Sequence, residues 1–133
     1  MIPAEFLDLL VEPNFATIAT VRPNGQPQNS PTWFEWDGEH VKLSCVASRQ
    51  RPRNIAHEPR VALTVIDPKM PYRYLEVRGF IERIDSDPDH AFINRLAKRY
   101  LDLDVFPWDS PGERTVQYLR PTSVATKAAP PKE

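Results

Sequence analysis

"FATIATVRPNGQPQNSPTWFEW", residues 15–36, carries the pattern that decides the fold. Residues 15–22 are rich in β-branched side chains, which favour an extended strand. The next three residues, 23–25, contain Asn-Gly and predict a tight hairpin turn, because this pair accepts positive φ at low cost. Residues 26–36 then run back as a second strand. The stretch therefore predicts the first hairpin of a mainly antiparallel protein.

The remaining segments extend this antiparallel pattern. Further strands are predicted at residues 40–46, 60–67, 72–85 and 114–126. Helical segments are predicted over residues 3–13, from Pro52 onward, and after a cap at Ser86 or Asp87 with Pro88 in the first turn. Roughly six short strands with peripheral helices predict a mainly β protein, a small β-barrel. We expect one domain over residues 1–126 and a disordered tail over 127–133.

Three positions predict irregular strands. Pro31 cannot donate to a ladder, so it marks an edge, a bulge or a break and leaves neighbouring backbone groups free for a ligand. Gly79 predicts a bulge or kink in its long strand, and Pro121 predicts a break in the last one. Around Pro31 the second strand has large side chains on both faces. We therefore expect one face to cover the core and the other to meet a cofactor or a partner subunit.

Composition excludes several classes of function. The 133 residues hold 17 Lys+Arg and 18 Asp+Glu, a formal net charge of -1, whereas general nucleic-acid binders carry a basic excess. Cys45 is the only cysteine, so no internal disulfide can form, and the three histidines lack ligand spacing for a metal. The start lacks the basic region of a signal peptide, and no apolar run is long enough to span a membrane. We expect a soluble, cytoplasmic protein.

"SRQRPRN", residues 48–54, concentrates positive charge locally. Pro52 disfavours the helical region for Arg51, so residues 48–51 are predicted to be extended and a helix to begin at Pro52. In extended chain, Arg49 and Arg51 share a side, next to a helix N-terminus that itself favours anions. Asn54 can add an amide donor. The arrangement predicts a phosphate-binding site, and the alternative is a solvated surface turn.

Four segments in order carry a resemblance to a known family: "ATVRPNGQPQNSPTWF", "RQRPRNI", "HEPRVALTVIDP" and "YRYLEVRG". Together, from Phe15 to Val124, they resemble the pyridoxamine 5′-phosphate oxidase-like superfamily of flavin and deazaflavin oxidoreductases. Within it, the chain is most similar to the B branch, which uses coenzyme F420. The loop "VFPWDSPGERT", near the expected substrate opening, matches this family in type more than in detail.

The resemblance implies an FMN-binding split barrel that forms a homodimer, with two cofactor sites at the interface. It implies that Arg49, Arg51 and Asn54 hold the cofactor phosphate. It further implies that the cofactor ring lies along the second strand, and that other residues line the same cleft or its partner-subunit wall. The ring-binding residues would be Pro31, Thr32 and Trp33, and the additional lining residues Ser44, Tyr72 and Tyr74.

The resemblance also implies the activity. An F420-dependent reductase would transfer a hydride from reduced deazaflavin to an electron-poor small molecule, such as a conjugated carbonyl or a quinone. We find no acid, base or nucleophile constellation, which fits a reaction whose chemistry the cofactor carries. Two alternatives remain open: an FMN-binding oxidoreductase of the same fold, and a flavin- or deazaflavin-binding protein without turnover. Nucleic-acid binding through the arginines is disfavoured by the net charge.

Overall fold

A computed structural model describes residues 1–131, which contain seven strands and three α-helices. The strands are β1 Ala16–Val21, β2 Pro27–Thr32, β3 Glu35–Trp36, β4 Val41–Val46, β5 Arg60–Ile66, β6 Tyr74–Ser86 and β7 Arg114–Lys127. The helices are α1 Asp8–Val11, α2 Gln50–His57 and α3 Ala91–Leu101, and a 3-10 turn, Ala4–Phe6, precedes α1. None of these helices is long and apolar enough to cross a membrane.

The strands form one curved sheet in the order β2-β1-β5-β6-β7-β4-β3. Every neighbouring pair is antiparallel. Strands β2 and β3 are the two edges and are not hydrogen-bonded to each other, so the sheet is split rather than closed. The prediction of a mainly β split barrel with peripheral helices is confirmed.

Alternate strand residues supply the core. Ile18 of β1, Leu43 of β4, Leu63 of β5 and Leu119 of β7 are at most 1% exposed. Burying a side chain of this size contributes about 1.5–3 kcal/mol relative to leaving it in water. A second, smaller cluster packs α3 against the other face of the sheet. Its buried members are Phe92, Ile93, Leu96 and Val116.

The long strands β6 and β7 contain the bulge predicted at Gly79. Arg78 pairs with Ser123, but Gly79 pairs with Pro121, so Thr122 is an extra residue in β7. A Cβ at Gly79 would lie 1.9 Å from the carbonyl oxygen of Arg120, which only glycine avoids. The predicted break at Pro121 is wrong: β7 continues through it, because a bulge accommodates a residue that cannot donate to the ladder.

Two helices begin at residues other than those predicted. Helix α2 starts at Gln50, with Arg49 as the extended N-cap, so the prediction of an extended Arg51 and a start at Pro52 is wrong. Pro52 is tolerated because first-turn N–H groups have no partner within the helix.

The last helix starts later than its capping residue. Helix α3 begins at Ala91, after His90, so Pro88 lies outside it. Asp87 nevertheless caps the helix, because its carboxylate accepts the N–H groups of Phe92 and Ile93, each at 3.2 Å. The predicted capping residue is therefore right and the predicted first turn is wrong.

The final strand includes Lys127, the first residue of the predicted tail. Residues 128–131 have no regular secondary structure. The last two residues of the predicted tail, 132 and 133, lie outside the described residues.

Candidate cofactor-binding site

A cleft of about 630 Å³ opens beside the edge strand β2. Its lining comes from β2, β4, the start of α2, α3, the loop after α3 and the first residue of β7. The volume is in the range of small-molecule sites. Two parts of it differ in chemistry. We call Arg49, Arg51, Arg114 and Ser44 the basic end, and Trp33, Phe106 and Trp108 the aromatic wall.

The start of α2 places two arginines at the basic end. Arg49 is the N-cap and Arg51 lies in the first turn, where backbone N–H groups have no partner within the helix. The Arg51 Nη2 atom donates to the carbonyl oxygen of Ser44 at 2.8 Å. Its Nε atom is buried and has no hydrogen-bond partner within residues 1–131. This orphaned donor and the helix start together favour an anion.

Arg114 is the third guanidinium of the basic end and was not predicted as a site residue. It enters from β7, opposite Val46 of β4. Its Nη1 atom donates to Oγ of Ser44 at 3.2 Å, and its guanidinium carbon lies 4.7 Å from the centroid of the Phe106 ring. The residue is 8% exposed. Arg114 therefore contacts both the basic end and the aromatic wall.

The basic end concentrates three guanidiniums, and Asp87 is the one carboxylate that acts on Arg114 through space within residues 1–131. Burial lowers the pKa of Arg51 and of Arg114, and the positive charge of Arg49 lowers the pKa of each further. In the described part of the chain, none of the three makes a salt bridge to a carboxylate. Because a guanidinium stays protonated under all ordinary conditions, the site is a concentrated cationic pocket. A phosphate would supply the missing charge through forked hydrogen bonds.

Asn54 lies behind the cleft and does not line it. The residue is fully buried. Its Nδ2 atom donates to Thr20 Oγ1 at 3.0 Å and to Gln28 Oε1 at 3.3 Å, and its Oδ1 atom accepts from Gln50 Nε2 at 2.7 Å. Gln28 and Gln50 both line the cleft. In this geometry Asn54 orients two amides that can reach a ligand, while its own amide is already engaged.

The aromatic wall is held in place from behind. Trp33 stacks on Tyr100, with ring centroids 5.0 Å apart and an interplanar angle of 5°. Phe106 meets Trp33 edge to face at 6.0 Å, and Trp108 lies 5.4 Å from Phe106. The hydroxyl of Tyr100 accepts the N–H of Phe34 at 3.1 Å. Trp33 therefore presents a fixed planar surface, whereas Trp108, 57% exposed, forms the outer rim.

The edge strand β2 contributes backbone as well as side chains. Pro31 pairs with Thr17 of β1 and has no neighbour on its other side, so the prediction of an edge is confirmed. A proline is tolerated on an edge strand where its missing N–H would point away from the sheet. Pro31 and Thr32 both line the cleft. Backbone oxygens on this side of β2 are free to accept hydrogen bonds from a bound ring.

Two of the predicted lining residues lie elsewhere in this chain. Tyr72 is 65% exposed in the β5–β6 connection, and Tyr74 begins β6, paired with Ile66 and Lys127. Neither lines the cleft. The structure thus brings together six predicted residues and leaves out Asn54 and the two tyrosines. The six are Pro31, Thr32, Trp33, Ser44, Arg49 and Arg51.

Sequence reasoning missed the residues that reach the cleft from distant parts of the chain. Gln28, Phe106, Trp108 and Arg114 have no local pattern that marks them as ligand contacts. For Arg114, the available signal was its place at the start of the last strand, next to a glycine-containing loop. This position identifies Arg114 as a cleft residue only when β7 is known to pair with β4.

This chain matches known proteins in sequence and in fold. The family model of pyridoxamine 5′-phosphate oxidase matches residues 2–128. A solved structure named F420 reductase is 42% identical, with a TM-score of 0.85, covering 93% of this chain and 98% of that one. Comparison with curated proteins gave no significant match.

More distant structures show the same fold. A conserved hypothetical protein from Mycobacterium tuberculosis is 22% identical with a TM-score of 0.73, covering 95% of this chain and 84% of that one. A heme binding protein from Mycobacterium smegmatis is 20% identical with a TM-score of 0.66, covering 97% of this chain and 56% of that one. The match over nearly the whole chain and the 42% identical structure together establish the relationship. This chain belongs to the pyridoxamine 5′-phosphate oxidase family, whose members are flavin-binding and oxidoreductase-like.

Proposed function

We propose that this protein is an F420-dependent reductase that acts on electron-poor small molecules, such as conjugated carbonyl compounds or quinones. The observation that carries the proposal is the cleft itself. One end presents three guanidiniums that have no carboxylate partner within residues 1–131, and the other end presents a fixed aromatic surface. A planar cofactor with a phosphate needs both features.

The residues at the basic end fit a phosphate group. Arg49 and Arg51 would hold the phosphate, assisted by the N–H groups at the start of α2. Gln50 and Gln28 line the same cleft, and Asn54 fixes their amides. The unpartnered Nε of Arg51 supports this assignment, since a buried donor is costly unless something binds near it.

The residues of β2 and the aromatic wall fit a ring system. Pro31, Thr32 and Trp33 would run along the ring, with backbone oxygens of the edge strand as acceptors for its polar groups. Ser44 lines the same cleft and accepts hydrogen bonds from Arg51 and Arg114. When bound, reduced deazaflavin supplies a hydride to an electron-poor substrate. The chain contributes position, exclusion of water by the aromatic side chains and a positive field.

The similarity of this chain to a solved F420 reductase favours F420 over FMN as the cofactor. Both carry a phosphate, so Arg49 and Arg51 would serve either one. The 42% identical structure named F420 reductase supports the deazaflavin. An FMN-dependent oxidoreductase and a binding protein without turnover are the outcomes against which the proposal is tested.

We further propose that the protein is a homodimer with its two cofactor sites at the interface. The open side of the cleft and the exposed rings of Phe15 and Tyr72, 62% and 65% exposed, support this arrangement. In a dimer, Tyr72 and Tyr74 would form part of the wall of the partner's cleft. Sedimentation at micromolar concentration should give a dimer. A stable monomer that still binds the cofactor would contradict the arrangement.

Anaerobic turnover tests the activity. The protein is mixed with reduced F420 and a panel of conjugated ketones, esters and quinones, and the return of oxidised deazaflavin absorbance is followed. We expect acceptor-dependent oxidation with F420 and none with reduced FMN. Turnover with reduced FMN but not with reduced F420 would show that the protein is an FMN-dependent oxidoreductase. Tight binding of F420 without oxidation by any acceptor would assign it to the binding-protein alternative.

A further inference from the structure

Arg114 joins the two ends of the cleft. It is 8% exposed, lines the cleft, donates to Oγ of Ser44 and lies over the ring of Phe106. A guanidinium has five N–H groups. Within residues 1–131, the Ser44 hydroxyl is the one acceptor that Arg114 reaches. Its other N–H groups are therefore available to a molecule in the cleft.

The positive charge of Arg114 is in excess of what a phosphate needs. Arg49 and Arg51 can each donate two parallel hydrogen bonds to that group, and the N–H groups at the start of α2 can donate more. Asp87 is the carboxylate that acts on Arg114 through space, but its oxygens accept the N–H groups of Phe92 and Ile93. A buried cation is costly unless an anion compensates it. A second source of negative charge is therefore expected beside Phe106.

The proposed reaction creates such a charge. A conjugated ketone takes up a hydride, supplied by the reduced cofactor, at its β-carbon. The electron pair of the C=C bond then forms a double bond between the α-carbon and the carbonyl carbon, and the pair of the C=O bond moves onto oxygen, which gives an enolate. A proton from solvent at the α-carbon completes the saturated ketone, and the cofactor is left oxidised. Negative charge thus develops on an oxygen of the acceptor. A preorganised donor in a water-poor site stabilises such charge strongly.

We infer that Arg114 is a catalytic residue that stabilises the negative oxygen of the hydride acceptor. The inference rests on the proposed reductase function, because the acceptor is part of that reaction. It separates the roles of the three arginines. Arg49 and Arg51 bind the cofactor, whereas Arg114 acts on the acceptor.

The melting temperature of the cofactor-free protein shows whether Arg114 stabilises the fold or is kept for a ligand. Arg114→Gln removes a buried charge that is repelled by Arg49, and retains an amide for Ser44. We expect its melting temperature to equal or exceed that of the wild type. A clear loss of stability would assign Arg114 a structural role and overturn the inference. Arg120→Gln, on the same strand but paired with Glu39 and Glu82, is the matched control.

Kinetics test the catalytic role. With saturating reduced F420, Arg114→Gln should lower kcat/KM for a conjugated ketone by about 100-fold or more. Arg114→Lys should recover part of this loss, and Arg120→Gln should stay near wild type. The Kd for F420 should change little in Arg114→Gln. Unchanged turnover, or a large loss of F420 affinity with turnover intact at saturation, would overturn the inference.

A phenol that binds the cofactor-free protein tests whether Arg114 stabilises a negative oxygen, without the need for turnover. In the Arg49→Ala, Arg51→Ala background, para-nitrophenol is titrated by absorbance, which distinguishes phenolate from phenol. We expect the protein to bind the phenolate about tenfold more tightly than the phenol, and Arg114→Gln to abolish this preference. Equal binding of both forms in that background, or a preference that survives Arg114→Gln, would contradict the inference. A wild type without turnover would contradict the proposed function, while this comparison still decides the role of Arg114.

Discussion

The arginines of the cleft and those of the outer surface differ in their partners. Six arginines outside the cleft each pair with a carboxylate: Arg60, Arg73, Arg78, Arg83, Arg95 and Arg120. The three at the basic end pair with none within residues 1–131. The other three arginines outside the basic end bond to neutral oxygens: Arg22 to Gln28, Arg53 to Gln50, and Arg99 to four backbone carbonyls. The basic end thus brings together three guanidiniums that have no carboxylate partner within residues 1–131. From this clustering we infer that a bound ligand supplies the negative charge in the cleft.

The largest effect is expected from removing the cofactor-binding pair. Arg49→Ala with Arg51→Ala should weaken F420 binding by about 100-fold or more, since a hydrogen bond to a charged group contributes about 1.5–3 kcal/mol. Fluorescence quenching measures the affinity. The control, Arg60→Ala with Arg78→Ala, removes two charges that are already paired. If the two double variants bound F420 with equal affinity, the cleft arginines would contribute no more to binding than the surface arginines do.

Salt should weaken F420 binding at the cleft arginines, by less than the double substitution does. Raising ionic strength from about 0.05 M to about 1 M shortens the screening length several-fold. We expect the affinity of the wild type for F420 to fall roughly tenfold over this range, because charge attraction holds the phosphate. The Arg49→Ala, Arg51→Ala variant should show little salt dependence. Salt-independent binding by the wild type would argue against an electrostatic site.

A surface pair should affect acid stability and leave binding unchanged. Arg73 bonds to Asp8 and Asp67 and holds the pKa of Asp8 below its usual 3.8. A carboxyl whose folded pKa is depressed stabilises the fold above its unfolded pKa and loses that contribution as the pH falls. Melting temperatures should therefore drop less steeply on acidification below about pH 4 in Arg73→Ala than in wild type. Identical acid profiles would contradict the pairing.

The smallest effect is expected at the exposed pair of Arg60 and Glu58. The side chain of Arg60 bonds to Glu58 and, with the backbone N–H of Arg60, lowers the pKa of Glu58 to about 2. Arg60→Ala should raise that pKa part of the way to 4.5, because the backbone N–H still donates. Carbon-detected NMR titration measures it. Melting temperature at neutral pH should not change, and a pKa that stays near 2 would show that the side chain contributes nothing.

Local sequence patterns predicted the strands well, because β-branched runs and the Asn-Gly turn act over few residues. They also found Arg49 and Arg51, although for a partly wrong reason. The two were expected to share a side of extended chain, but Arg51 is helical, and the helix start brings both into the cleft. The constraint that Pro52 places on Arg51 was weaker than the gain from another helical residue.

The rest of the site depends on long-range pairing. Arg114 reaches Ser44 because β7 pairs with β4, seventy residues apart. Asn54 was expected to contact the phosphate, but its amide is buried against Thr20 and Gln28 on the first hairpin. Such contacts are set by tertiary structure, which no short stretch of sequence encodes. Tyr72 lies outside the cleft of its own chain, so its proposed role requires a second subunit.

A side-by-side titration of the purified protein with F420 and FMN shows whether the cleft is a deazaflavin site. Calorimetry or fluorescence quenching gives both affinities under identical conditions. We expect tight binding of F420, weak binding of FMN, and loss of F420 binding in the Arg49→Ala, Arg51→Ala variant. Binding of neither cofactor would contradict a phosphate site at Arg49 and Arg51, because the unpaired arginines of the cleft would then have no phosphate to hold.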